Sequence, residues 1–191
     1  MLWCQDSNVN TLYFINSSTS YTDVNSASEN EKYYEGHTIL GAWRGTQVTN
    51  SGANFPAWCS DAQNVTKVVF DESFASVKPT NCHRWFSGFL SLTTIEGLQY
   101  LNTSEVTDMS NMFINCGALT SVDVSTFDVR KVTNISQMFD YCDNLTTIYC
   151  NDTWTINNGS GQMFADCSNL KGAVSYDANH IASNMANPTT G

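Results

Sequence analysis

Basic residues are scarce. The 191-residue chain carries 8 Lys and Arg against 18 Asp and Glu, a formal net charge of −10. That balance argues against nucleic acid or an anionic lipid surface as a partner, because both are held through cationic side chains that displace counterions. No apolar run approaches the roughly 18 residues a membrane span needs. The seven cysteines, at positions 4, 59, 82, 116, 142, 150 and 167, include no C-x-x-C pair, so neither a zinc ribbon nor a thioredoxin-type site is supported. His37, His83 and His180 lie in no H-E-x-x-H or G-x-S-x-G context, and Cys82 and His83, being adjacent, point in different directions on a helix. No catalytic, metal-binding or cofactor-binding residue is therefore predicted, and the chain is expected to be no enzyme and to need no cofactor. Met1 to Asp6 show no basic n-region and no apolar h-region, so a secretory leader is expected to be missing from the sequence as given.

What is abundant is small and polar. Ser, Thr and Asn occur 21 times each, whereas charged residues make up only 14%, a balance that suits turn-rich extracellular folds. Hydrophobic residues at 41% and aromatics at 12% supply enough apolar surface to offset the entropy of ordering the chain.

The strongest signal is self-similarity. Segments starting at Leu92 (LTTIEG), Leu119 (LTSVDV), Leu145 (LTTIYC) and Leu170 (LKGAVS) are offset by 27, 26 and 25 residues, and Val65 (VTKVVF) lies 27 residues upstream. A second block keeps the step: Cys82, Trp85, Phe86, Phe89; Met109, Met112, Phe113, Cys116; Ile135, Met138, Phe139, Cys142; Ser160, Met163, Phe164, Cys167. Each follows i, i+3, i+4, i+7, which predicts a short helix with one buried face. Thr107-Asp108 and Thr133-Asn134 are candidate N-caps, and Gly117 a candidate positive-φ exit. The alternation in Val122-Asp123-Val124 and Val68-Val69-Phe70 predicts a short half-buried strand.

These signals predict an α/β repeat fold: a leucine-rich-repeat-like solenoid, with a short strand and a short helix per 25–27-residue repeat and an N-terminal β cap. The expected divisions are a β cap over 1–64, the repeat array over 65–178 and a polar tail over 179–191. Cys116, Cys142 and Cys167 are expected to be buried free thiols, while a Cys4–Cys59 bridge stays open. The strand positions facing out on the concave sheet are Lys67, Val69, Thr94, Glu96, Ser121, Asp123, Thr147, Tyr149 and Asn151. Of these, Glu96, Asp123, Tyr149 and Asn151 are the candidate ligand-binding residues.

The stretches LTTIEGLQYLNTSEVTDMSNMFINC and LTSVDVSTFDVRKVTNISQMFDYC, with the phrase V-T-x-M-S-x-M-F-x-x-C, resemble the BspA-like leucine-rich-repeat surface proteins of gut and oral bacteria. The resemblance covers roughly residues 65–170. Ile135 replaces the first Met of its unit, and Gly159-Ser160-Gly161 opens the last. It implies an exported, extracellular or cell-surface bacterial protein that binds a host protein or glycan in adhesion. The alternatives are a glycan-binding cap built on aromatics such as Trp43 and Trp58, or a structural spacer. The oligomeric state stays open.

Overall fold

Period-two burial makes the strands. In the computed structural model, described for residues 1–5, 10–19, 33–42, 56–151, 154, 156, 161–172, 176–179 and 181, the strands are β1 (Leu2–Gln5), β2 (Asn10–Phe14), β3 (Tyr33–Tyr34), β4 (His37–Ala42), β5 (Lys67–Phe70), β6 (Thr94–Glu96), β7 (Ser121–Asp123) and β8 (Thr147–Tyr149). In β5, for example, Val68 and Phe70 are buried while Lys67 and Val69 are half-exposed, the alternation a pleated strand imposes.

The strands form two sheets. The larger has six strands in the order β3-β4-β1-β2-β5-β6, and the smaller contains β7 and β8. Strand β1 is antiparallel to both β2 and β4, and β3 pairs with β4 through a turn at Glu35 and Gly36, both at positive φ, as tight hairpins require. The remaining pairings are parallel: Thr11 opposite Lys67, Val68 opposite Ile95, and Val122 opposite Ile148. The strands before residue 65 are thus hydrogen-bonded into the same sheet as β5 and β6.

The core is aromatic. Phe14 is fully buried and stacks on Phe70 at 4.5 Å and on Trp85 at 5.2 Å between ring centroids. From there a row of rings runs through the chain, Phe86 to Phe113 at 5.2 Å, Phe113 to Phe139 at 5.4 Å and Phe139 to Phe164 at 5.9 Å. Cys116, Cys142 and Cys167 lie beside it, each thiol directed at the carbonyl of a phenylalanine about one unit earlier: Phe86 at 3.1 Å, Phe113 at 3.1 Å and Phe139 at 2.8 Å. All seven cysteines are free, so Cys4 and Cys59 are not bridged.

The expected leucine-rich-repeat-like α/β solenoid is overturned. Among the described residues there is no α-helix; the regular elements are short strands in two small sheets and short 3-10 helices at Ala57–Asn64, Glu72–Ser76 and Leu98–Tyr100. The blocks read as helices are strings of turns. Asn111 and Asn115, Gln137 and Tyr141, and Gln162 and Asp166 all have φ between 54° and 63°, and the matching Arg84 and Gly88 are also at positive φ, 58° and 77°. A left-handed residue at every fourth position ends a right-handed helix before it can complete a turn. Alternate amides then point sideways instead of along an axis: Met109 N–H donates to Asn134 O at 2.9 Å, Asn111 N–H to Ser136 O at 2.9 Å and Phe113 N–H to Met138 O at 2.8 Å. The i, i+3 spacing survives because three-residue turns link Met112 to Met109 and Cys116 to Phe113.

The expected caps serve those turns. Asp108 Oδ1 accepts from Ser110 N–H at 2.8 Å, and Asn134 Oδ1 from Ser136 N–H at 3.1 Å. Gly117 is not among the positive-φ glycines; Asn115 takes that conformation instead. Trp43, His180 and most of the expected tail lie outside the described residues. Among the described residues no helix is long and apolar enough to cross a membrane.

Candidate functional site

The outward strand positions fall where period two puts them. Thr94 and Glu96 of β6, Ser121 and Asp123 of β7, and Tyr149 of β8 are exposed, whereas Val122 is buried beneath them. Tyr149 is 57% exposed, large for an aromatic ring. Asp123 and Tyr149 are register partners across β7 and β8. Glu96 pairs with Lys67 on the neighbouring strand at 2.8 Å. Asn151 is exposed beyond the end of β8.

These residues do not form one continuous sheet face, because hydrogen bonding stops between β6 and β7. Elsewhere a threonine-led rung recurs. Thr66 N–H donates to Asn10 O at 2.9 Å, Thr93 N–H to Thr66 O at 3.0 Å, Thr146 N–H to Thr120 O at 2.9 Å and Lys171 N–H to Thr146 O at 3.0 Å. The hydroxyls of Thr66, Thr93 and Thr146 reinforce three of them on the same carbonyls at 3.3, 3.2 and 3.0 Å. Among the described residues the rung from Thr120 to Thr93 is not made. On the turn side the same two units stay joined, through Arg84 N–H to Ser110 O at 3.1 Å, Phe86 N–H to Met112 O at 2.8 Å and Gly88 N–H to Ile114 O at 2.9 Å. Further along, Thr103 Oγ1 accepts from Asp128 N–H at 2.7 Å.

Where the rung is missing lies a slot of about 360 Å³, with residues of β6 and of β7 in its lining. Ile95, Leu98 and Val122 give it apolar surface; Thr94, Gln99, Ser121, Thr126 and Asp123 add polar groups, and Tyr149 stands at its rim. Its volume falls within the ~300–1,000 Å³ of small-ligand sites. Asp123 Oδ1 accepts from Ser125 N–H at 2.9 Å, and Oδ2 has no hydrogen-bond partner among the described residues. Of the four candidate ligand-binding residues, Asp123 and Tyr149 line the slot, while Glu96 and Asn151 lie outside its lining.

Gly97 carries the chain away from β6. It has φ of 69°, and a Cβ there would meet the Phe70 carbonyl oxygen at 2.0 Å. Only glycine fits that close approach in that conformation. The 3-10 turn Leu98–Tyr100 then follows; in the next unit the buried Val124 stands in the place of Gly97.

A second polar cluster has different chemistry. His83 Nδ1 lies 2.7 Å from Ser110 Oγ, whose hydroxyl donates to Asp108 Oδ1 at 2.6 Å. With its proton directed at the carboxylate, Ser110 accepts from the imidazole, the reverse of what a histidine base needs to activate a serine. Burial pushes the His83 pKa down, and Ser110 itself is only 3% exposed. Among the described residues no group of three or more His, Cys, Asp or Glu is placed to hold a metal ion.

Residues 54–177 match the family described as Mycoplasma protein of unknown function, DUF285, over nearly two thirds of the chain and across the whole of the slot. No curated protein and no solved structure is matched by this chain. The chain belongs to the DUF285 family.

Proposed function

Taking that membership as the premise, we propose that the protein is an exported cell-surface module that binds a host protein or glycan through its outward strand face, without catalysis. The observation that carries this reading is the slot between β6 and β7, where an exposed aromatic ring, a carboxylate oxygen with no partner among the described residues and several hydroxyls surround apolar surface. Binding sites combine these elements: apolar contact area with a few placed polar groups. The family's association with surface proteins supports the location, and the V-T-x-M-S-x-M-F-x-x-C phrase, similar to that of BspA-like surface proteins, supports adhesion. The charge of −10 favours neutral or cationic partners over nucleic acid.

The cap-centred glycan reading draws no support from Trp58. Its ring is 1% exposed and its Nε1–H donates to the Trp85 carbonyl at 2.7 Å, so it offers no open face for a sugar to stack on.

The test is a surface-binding screen of extracellular-matrix proteins and glycans against the wild type and a folded Glu96→Ala/Asp123→Ala/Tyr149→Ala variant. Loss of about tenfold or more in affinity is expected, since buried aromatic anchors each contribute ~2 kcal/mol or more. Binding that the variant retains in full would place the ligand elsewhere, and a screen without binders would leave a structural spacer.

A further inference from the structure

We propose that the ligand of the slot is an extended polypeptide segment bearing a basic side chain, which enters between β6 and β7 as an added strand. This rests on the reading of the strand face as the binding surface and specifies its occupant.

The first support is the interrupted ladder. Thr93 and Thr120 hold the same place in their units as Thr66 and Thr146, yet the amide and hydroxyl of Thr120 do not reach the Thr93 carbonyl. Among the described residues each of β6 and β7 has a hydrogen-bonded strand neighbour on one side only, β5 and β8 respectively, and both contribute lining residues to the slot. Strand edges present alternating N–H and C=O groups, and an extended peptide is the ligand whose own backbone offers the matching alternation. Sugar hydroxyls satisfy single groups but carry no such repeat. The facing stretches, Thr93 to Glu96 and Thr120 to Asp123, are four residues long, about 13 Å of extended chain.

The second support is charge. Among the described residues Asp123 is the one charged residue of the slot lining. With Oδ1 engaged by Ser125 N–H, Oδ2 is left to face an incoming cation. The neighbouring strand pair shows the same contact already made, since Lys67 on β5 reaches Glu96 on β6 at 2.8 Å across the outward face. A Lys or Arg on an inserted strand would meet Asp123 in the same manner. The third support is preorganisation. The turn-side bonds and the Thr103–Asp128 contact tie the two units together, so the edges of the slot are held in place before a ligand arrives, which lowers the cost of association.

The experiment is selection from a displayed random heptapeptide library against the full chain, followed by amide chemical-shift mapping with the enriched peptide in synthetic form. The expected result is enrichment of sequences alternating β-branched residues with Lys or Arg. Shifts should centre on Thr93, Thr94, Thr120 and Ser121. The same peptide N-methylated at its central residues should bind about tenfold more weakly, because its backbone donors are gone. Asp123→Asn, checked for an unchanged melting temperature, should weaken the basic peptide by severalfold and leave a Lys→norleucine version unaffected. No enrichment, unchanged binding of the N-methylated peptide, or shifts away from the slot would each overturn the proposal, and the peptide arm holds even if the variant fails to fold. Should peptides fail while macromolecular or glycan binding still depends on Asp123 and Tyr149, the slot remains the binding site and only its polypeptide occupant falls. Should that binding ignore both residues, the broader reading falls with it.

Discussion

Phe113 and Phe139 stack with their ring planes 1° apart and centroids at 5.4 Å. Both are fully buried, and the Cys142 thiol points at the Phe113 carbonyl, so each ring is held by a unit on either side. Truncation at Phe113 removes contacts to Phe86 and Phe139 together. Phe113→Ala is expected to destabilise by ~3–5 kcal/mol through lost burial and the cavity left behind. Urea unfolding measures this, and a loss under ~1 kcal/mol would show that the row does not hold the core together.

The thiols beside that row should be inert. Burial pushes the Cys4 and Cys59 pKa values up to about 12. Cys142 is raised further, chiefly by its contact with Cys116, and Cys167 chiefly by its contact with Cys142, with burial adding to both. A thiol kept protonated is a poor nucleophile. Cys116, Cys142 and Cys167 are also fully buried and out of reach of a reagent, so all three should react with a maleimide only after denaturation, as peptide mass mapping would report. Modification of any of them in the native protein would contradict the packing.

Asp140 gives a pH dependence of defined sign. It is 3% exposed, Oδ2 accepts from Gln137 at 2.9 Å and Oδ1 has no partner among the described residues. Burial, and secondarily Asp166, raises its pKa. A carboxyl whose folded pKa exceeds its unfolded value stabilises the fold while both states are protonated, and that stability is lost as pH rises through the folded value. The carboxylates held low act in the opposite sense, as Asp128 does with Arg130 keeping it at about 2. Asp140→Asn should therefore gain melting temperature relative to wild type as pH rises from 4 to 7. A difference that is constant across that range would exclude Asp140 as the source.

Gly97 should tolerate no side chain. The φ of 69° and the 2.0 Å approach to the Phe70 carbonyl combine strain with a backbone clash. Gly97→Ala is expected to cost more than ~1 kcal/mol, with amide shifts reaching β5 and the slot. A neutral effect on thermal unfolding would mean that the turn after β6 can rearrange freely.

The buried residues were legible in the sequence, and the backbone that buries them was not. Met109, Met112, Phe113 and Cys116 are all buried as their spacing foretold. The same spacing arises from an α-helix and from successive three-residue turns separated by left-handed residues, so periodicity alone does not distinguish them. Asn111 and Asn115 carried a signal, since asparagine tolerates positive φ better than most residues. Arg84, Gln137, Tyr141 and Gln162 carried none. The slot was half-legible. Asp123 and Tyr149 follow from strand alternation, and Gly97 stands where the other units place Val124 and Cys150, a visible irregularity at the edge of the opening. The missing rung was invisible, because Thr120 is the same residue type as the threonines that do make it.

The sideways course of the backbone amides bears on how the chain acquires its structure. A helix closes its bonds over four residues, whereas Phe113 reaches Met138 and Thr133 reaches Thr107 across about one full unit. Every rung thus requires closing a loop of that length before any bond rewards it, and loop-closure entropy makes such topologies slow, on the ms–s scale instead of the μs–ms of helical bundles. No unit can form ahead of a neighbour to bond to. The aromatic cluster around Phe14, where strands from the first residues meet Phe70, Phe86 and Trp85, offers apolar surface that can offset part of that closure cost when the following turns pack against it.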